Sequence, residues 1–331
     1  MAFPALQIAT ILGLLATPAL AQAPISPPAE GVALPPQAGG PPAPTPVAAA
    51  SVNVDLAFGA YQRGLFYTAL KEATARVSTD PRDAAAMTLI GEIYRDGVSV
   101  KRDFAEAARW YRLAANLGNR AAQFQLGMML LRGAEGVEID RAGAKALLEQ
   151  AAAQGHAGAL YNLAIIALEG EGDSKPDFAR AADFFHRAAD AGDDNAAYSY
   201  GVLLREGRGV PLDISAAAGW LKRAADAGVI AGEVEYAIML FNGIGVEKDE
   251  AGAAKLFAKA AGQNNPIAQN RLAHLYATGR GVPKDLVQAA TWQRFASAAG
   301  IDDKQLDDAL AGLSPDDEAK VEQRVRSQVA R

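Results

Sequence analysis

The chain has 331 residues, half of them hydrophobic, and a formal net charge of −6. That apolar share can bury a continuous core, while the acidic balance argues against nucleic acid and against simple attraction to anionic lipid, both of which favour a basic surface. There is no cysteine, which excludes disulfides, thiolate metal sites and cysteine nucleophiles.

At the start, an apolar run from Ile8 to Ala16 leads to Ala19-Leu20-Ala21 before Gln22. This is the pattern of a secretory signal peptide over residues 1–21, cleaved after Ala21, although no Lys or Arg precedes the run. The run is short for the roughly 20 residues of a membrane span. Export to the periplasm, without stable membrane insertion after cleavage, is the expectation. Residues 22–53 follow as a disordered Pro/Ala-rich linker, with nine prolines between Pro24 and Pro46 and little that could form a core.

Residues 54–82 change character. Gly64, Phe66, Ala69 and Pro81 fall at spacings that resemble a tetratricopeptide hairpin, which would open the stack as an atypical terminal unit.

From there one frame recurs. Asp103, Asp140, Asp177, Asp213, Asp249 and Asp285 are 37, 37, 36, 36 and 36 residues apart, and a fixed period of this size means stacked repeats. Four residues after each aspartate stands alanine (Ala107, Ala144, Ala181, Ala217, Ala253, Ala289). Seven after it stands a large apolar residue (Trp110, Leu147, Phe184, Trp220, Leu256, Trp292), read here as the repeat core. With the small residues eleven and twelve after it, they make one stripe at helical spacing. The aspartate is then the N-cap of each second helix, with capping boxes open to Asp103…Glu106 and Asp285…Gln288. Each first helix carries a small residue followed six later by a turn glycine: Gly97, Gly133, Gly170, Gly207, Gly243 and Gly279. Repeats two and three have one extra residue between that glycine and the aspartate, so longer loops are expected there.

These residues resemble the Sel-one-like repeat, a relative of the tetratricopeptide repeat, over 83–301 in six copies (83–119, 120–156, 157–193, 194–229, 230–265, 266–301). The resemblance implies an all-α fold, an α-solenoid wound as a right-handed superhelix of helix-turn-helix units. It also implies an adaptor that binds proteins in envelope assembly, secretion or signalling. Residues 302–331 supply a C-terminal capping helix, with Ser314 as N-cap and Pro315 at the first helical position.

Catalytic signatures are missing: there is no HExxH, GxSxG, SxxK or phosphate loop. Gly-x-Gly occurs at Gly207, Gly243 and Gly279, but helices flank it, so hairpin turns explain it better than a dinucleotide site. His156, His186 and His274 occupy three different places in the repeat frame, which favours packing over a metal or a triad. No catalytic residue, metal or cofactor is expected. Peptidoglycan or glycan binding, or a cell-wall enzyme, is the alternative; it would need bare tryptophan rings on one groove. The candidate partner-binding surface is a polar ribbon on the first helices: Gln125, Arg132, Asn162, Glu169, Ser199, Glu206, Glu235, Asn242, Arg271 and Thr278. Its glutamates suggest a protein or peptide partner of basic character.

Overall fold

The structure, a computed structural model, describes residues 55–170 and 175–329. The expected signal peptide and linker, and Ser174 in the third repeat's loop, lie outside the described residues. Sixteen helices follow one another among those described. The first two are α1 (Leu56–Gln62) and α2 (Phe66–Thr79). Six pairs come next: α3 (Ala84–Asp96) with α4 (Phe104–Asn116), α5 (Arg120–Arg132) with α6 (Arg141–Ala153), and α7 (Ala157–Glu169) with α8 (Phe178–Asp190). They continue as α9 (Asp194–Glu206) with α10 (Ile214–Asp226), α11 (Ile230–Asn242) with α12 (Glu250–Gly262), and α13 (Pro266–Thr278) with α14 (Leu286–Ala298). The sequence suggested one closing helix; there are two, α15 (Lys304–Leu310) and α16 (Pro315–Val329).

The chain divides into two compact units, one ending at Trp110 and the other beginning at Tyr111. In the first, α1, α2 and α3 pack in succession around Ala57, Ala60, Ala69, Ala73, Ile90 and Ile93. In the second, each helix from α6 to α13 packs on its predecessor and its successor, and α14 also meets α15 and α16. This is an all-α solenoid of stacked hairpins, in which each element leans on its sequence neighbours.

Local chemistry sets the hairpins. Asp140, Asp177, Asp213, Asp249 and Asp285 each accept a hydrogen bond from the third backbone N–H of the second helix, and Asp103 accepts from Glu106 N at 2.9 Å. The capping boxes do not form. The aspartate N–H groups donate instead to a first-helix carbonyl: Asp103 to Tyr94, Asp140 to Leu130, Asp177 to Ala167, Asp213 to Leu204, Asp249 to Leu240 and Asp285 to Tyr276, all at 2.8–3.0 Å. One residue thus caps one helix and ties the turn to the other. The Glu106 side chain turns outward to Arg109 and Trp110 Nε1.

The turn glycines show how the loops differ. Gly97, Gly207, Gly243 and Gly279 are left-handed C-caps, whereas Gly133 and Gly170 combine φ of 74° and 77° with ψ near 160°. That second region is open essentially only to glycine, and it serves the two longer loops.

The seam between helices corrects the expected repeat core. Trp110, Leu147, Phe184, Trp220, Leu256 and Trp292 are half-buried. The residues after them are the closed ones: Tyr111, Leu148, Phe185, Leu221, Phe257 and Gln293 are at most 3% exposed. Helix geometry gives the reason. At about 100° per residue, offset eight lies roughly 20° from the mean direction of the alanines at four, eleven and twelve, while offset seven lies roughly 80° away. The first helix docks on that line; a Cβ on Gly127 would sit 3.2 Å from Leu148 Cγ and 3.3 Å from the Ala144 carbonyl.

Candidate interaction surface

In the second unit the first helices (α5, α7, α9, α11, α13) bury one side against second helices and leave the other uncovered. Taking Gly127, Ala164, Gly201, Ala237 and Ala273 as the reference position, the more open side comprises offsets −3, −2, +1, +4 and +5, although Ser199, Val202, Val234 and Asn270 within it are buried. In repeats two and three its centre is apolar and half-buried: Phe124, Met128, Leu131, Ile165 and Leu168.

The predicted polar ribbon lies along one flank of this side and is interrupted. Arg132, Glu169, Asn242, Arg271 and Thr278 are exposed, and Gln125, Asn162, Glu206 and Glu235 are half-buried. Ser199 is buried, its hydroxyl donating to the Asn195 carbonyl at 3.0 Å. Asn162, Asn242 and Thr278 likewise spend their donors on the preceding turn of their own helices. The acids at the centre are already paired. Arg205 forms an ion pair with Glu235 across α9 and α11, and Glu206 lies 3.8 Å from Arg205 and 3.5 Å from Arg208. Two phenols sit in the same region: burial, helped by the Asp193 charge, pushes Tyr161 up to about 12, and burial with the Glu235 charge raises Tyr198 further.

A second set of polar residues was missed in the sequence. Gln123, Glu233 and Gln269, all at offset −4, are buried at 0–4% exposure. Gln123 donates to the Ala115 carbonyl and to Gln150, Gln269 donates to the Ala261 carbonyl, and Glu233 meets Lys259 Nζ at 2.6 Å and Gln263 Nε2 at 3.1 Å. Gln123 thus clips its first helix to the second helices on either side, while Glu233 reaches only the following one and Gln269 only the preceding one. Their recurrence at one frame position was the available signal.

The histidines stay apart in role. His156 caps α7 through Nδ1 and stacks on Phe124, with its pKa lowered by burial and by Arg120. His186 packs between Tyr200 and Trp220. His274 meets Asp303 Oδ2 at 2.6 Å, where Asn270 also donates at 2.9 Å. Gln293 stands where the other repeats carry Tyr111, Leu148, Phe185, Leu221 and Phe257, and with Asn270 it extends this network to Asp307. No group of three or more His, Asp or Glu able to hold a metal occurs among the described residues.

Burial works to raise the Asp303 pKa, but hydrogen bonds from Asn270, His274 and Leu306 N, together with the His274 charge, bring it down to about 2. A carboxylate with a depressed folded pKa contributes stability that is present above its ordinary 3.8 and lost as pH falls through about 2. Acid titration between pH 4 and 2, followed by hydrogen exchange over 304–310, should therefore loosen α15 by on the order of 1 kcal/mol after solvent screening. In Asp303→Asn that pH dependence should be absent; its persistence would contradict the assignment.

The tryptophan rings are partly covered. Trp110 donates to Glu106 with Arg109 over its face, Trp220 is flanked by His186, Tyr200 and Arg223, and Trp292 lies against Phe295. The bare platform that glycan binding needs is not formed by them.

A Sel1 repeat profile matches residues 84–119, 120–156, 157–193, 194–229, 230–265 and 266–301. Among solved structures, a Sel1 repeat protein from Oxalobacter formigenes is 26% identical, covering 74% of this chain and 97% of its own, with a TM-score of 0.60. The protective antigen c5321 of uropathogenic Escherichia coli, which displays an SLR fold, is 23% identical over 80% of this chain and 64% of its own, with a TM-score of 0.53. No curated protein matches. Six contiguous repeats matched over residues 84–301 mean that this chain belongs to the Sel1 repeat family.

Proposed function

We propose that the chain is a non-catalytic, exported adaptor that holds a protein or peptide partner on the uncovered side of its first helices, in envelope assembly, secretion or signalling. The observation that carries this reading is the repeated opening of that side: α5, α7 and α11 all present half-exposed apolar residues there, while the seam rows are closed. Sel1 and tetratricopeptide-like repeats commonly mediate contacts between proteins, which supports a scaffold role. Rigid hairpins holding several modest contacts in register would limit the entropy lost on docking.

The test is a photo-crosslinking amino acid placed at Ile165 or Ile238 on the first helices, and at exposed Ala146 or Gly219 on the second. After irradiation of intact cells, adducts should form from Ile165 and Ile238 and be recovered in the periplasmic fraction. Adducts formed mainly from Ala146 and Gly219 would overturn the choice of face, and a protein confined to the cytoplasm would overturn export.

A further inference from the structure

The uncovered side of the first helices is not uniform. Its apolar centre runs across two adjacent first helices only in repeats two and three, where Met128, Leu131, Ile165 and Leu168 stand at offsets +1 and +4; Ile238 and Phe241 hold those places in repeat five, where Arg280 lies 4.1 Å from the centre of the Phe241 ring. In repeat four the same places hold Arg205, in an ion pair with Glu235, and a buried Val202; in repeat six they hold His274, engaged by Asp303, and Ala277. The turn edge beside the helices changes in the same direction. In repeat two it carries exposed Glu135 and Glu138 against Arg132, and repeat three opens its turn with exposed Glu169 and ends it with exposed Lys175. Repeat four sets Arg205 and Arg208 on Glu206, and repeat six carries Arg280 and Lys284 with no acid before Asp285. The two adjacent apolar helices are therefore the ones beside exposed Glu135, Glu138 and Glu169.

Apolar area supplies affinity, while the sign of a charged rim selects and steers the partner. A docking segment needs aliphatic side chains to cover α5 and α7, and cations to meet the rim. We infer that the uncovered side of α5 and α7 docks a basic amphipathic helix of a partner protein, one face aliphatic and its border lysine- or arginine-rich. This rests on the reading above that the first helices are the binding side, and it adds where on them and to what chemistry.

The experiment uses the full chain and two labelled model helices sharing one leucine face, with lysines in the polar positions of the first and glutamates in the second. Anisotropy should show the lysine peptide binding at least about tenfold more tightly. Glu135→Lys with Glu138→Lys and Glu169→Lys should weaken it by about tenfold or more, and so should Met128→Ser with Ile165→Ser. A control with equal charge change at exposed sites elsewhere, Glu247→Lys with Asp308→Lys and Asp316→Lys, should leave affinity within about twofold. Equal loss in the control would reduce the effect to general attraction by an acidic protein and overturn the inference, as would equal binding of both peptides or of neither. Binding abolished by Ile238→Ser with Phe241→Ser but not by Met128→Ser with Ile165→Ser would overturn the location while leaving the first helices as the binding side. The surface charge reversals keep the test valid should the serine variant unfold.

Discussion

Gly209→Ala should destabilise the protein by about 2–5 kcal/mol in denaturant unfolding, whereas Gly228→Ala should cost only about 1–2 kcal/mol. Both glycines have positive φ, +74° and +84°, so both substitutions carry the conformational term. They differ in surroundings. Nothing lies within 4 Å of a Cβ built on Gly228, while one on Gly209 would lie 2.6 Å from the Ala179 backbone nitrogen and closer still to the Phe178 carbonyl. The fourth repeat's turn is laid directly on the start of the third repeat's second helix, and Arg208 rests 3.8 Å above the Phe178 ring. Gly245 and Gly281 make the same approach to Ile214 and Glu250. Gly209, Gly245 and Gly281 are thus inter-repeat contacts. Equal losses in the two variants would show that φ alone matters and that this contact is not tight.

Phe185→Ala should cost about 3–5 kcal/mol, and Phe184→Ala about 1–2 kcal/mol. Phe185 is fully buried in α8, in edge contact with Tyr161 of α7 at 5.5 Å between ring centroids. Removing it leaves a cavity between helices already closed by alanines that cannot reach across. Phe184 keeps part of its ring in water, with Arg180 and Arg187 near it at 5.8 and 5.7 Å. Its loss removes some packing and two weak cation contacts, without a closed void. Urea midpoints of the pair would measure the difference, and a greater loss for Phe184 would return the core to offset seven.

This contrast explains what the sequence could convey. The turn glycines and capping aspartates were legible because each meets a requirement that few residues can satisfy, and each recurs at the repeat period. The core row was misread because large residues come in adjacent pairs, Leu147-Leu148, Phe184-Phe185, Trp220-Leu221 and Leu256-Phe257. Offsets four, seven and eleven satisfy helical spacing nearly as well as four, eight and twelve. Only the docking of the first helix separates the two, and that contact lies some twenty residues away along the chain. The polar ribbon was misjudged for a related reason. Arg205 stands at an offset that is apolar in repeats two, three and five, so nothing local announced that it would take up Glu235 and Glu206. Ser199 counted as polar, yet a hydroxyl that donates to its own helix is readily buried.

Because the chain has no cysteine, maleimide labelling of single substitutions tests most directly which faces of the hairpins are closed and which are open to a partner. Leu148→Cys and Leu221→Cys should stay protected under native conditions and react only on addition of denaturant. Leu147→Cys, Leu256→Cys, Met128→Cys and Ile165→Cys should react in the folded state. Protection at Met128 and Ile165 together with ready labelling at Leu148 and Leu221 would contradict both the seam and the open side of the first helices.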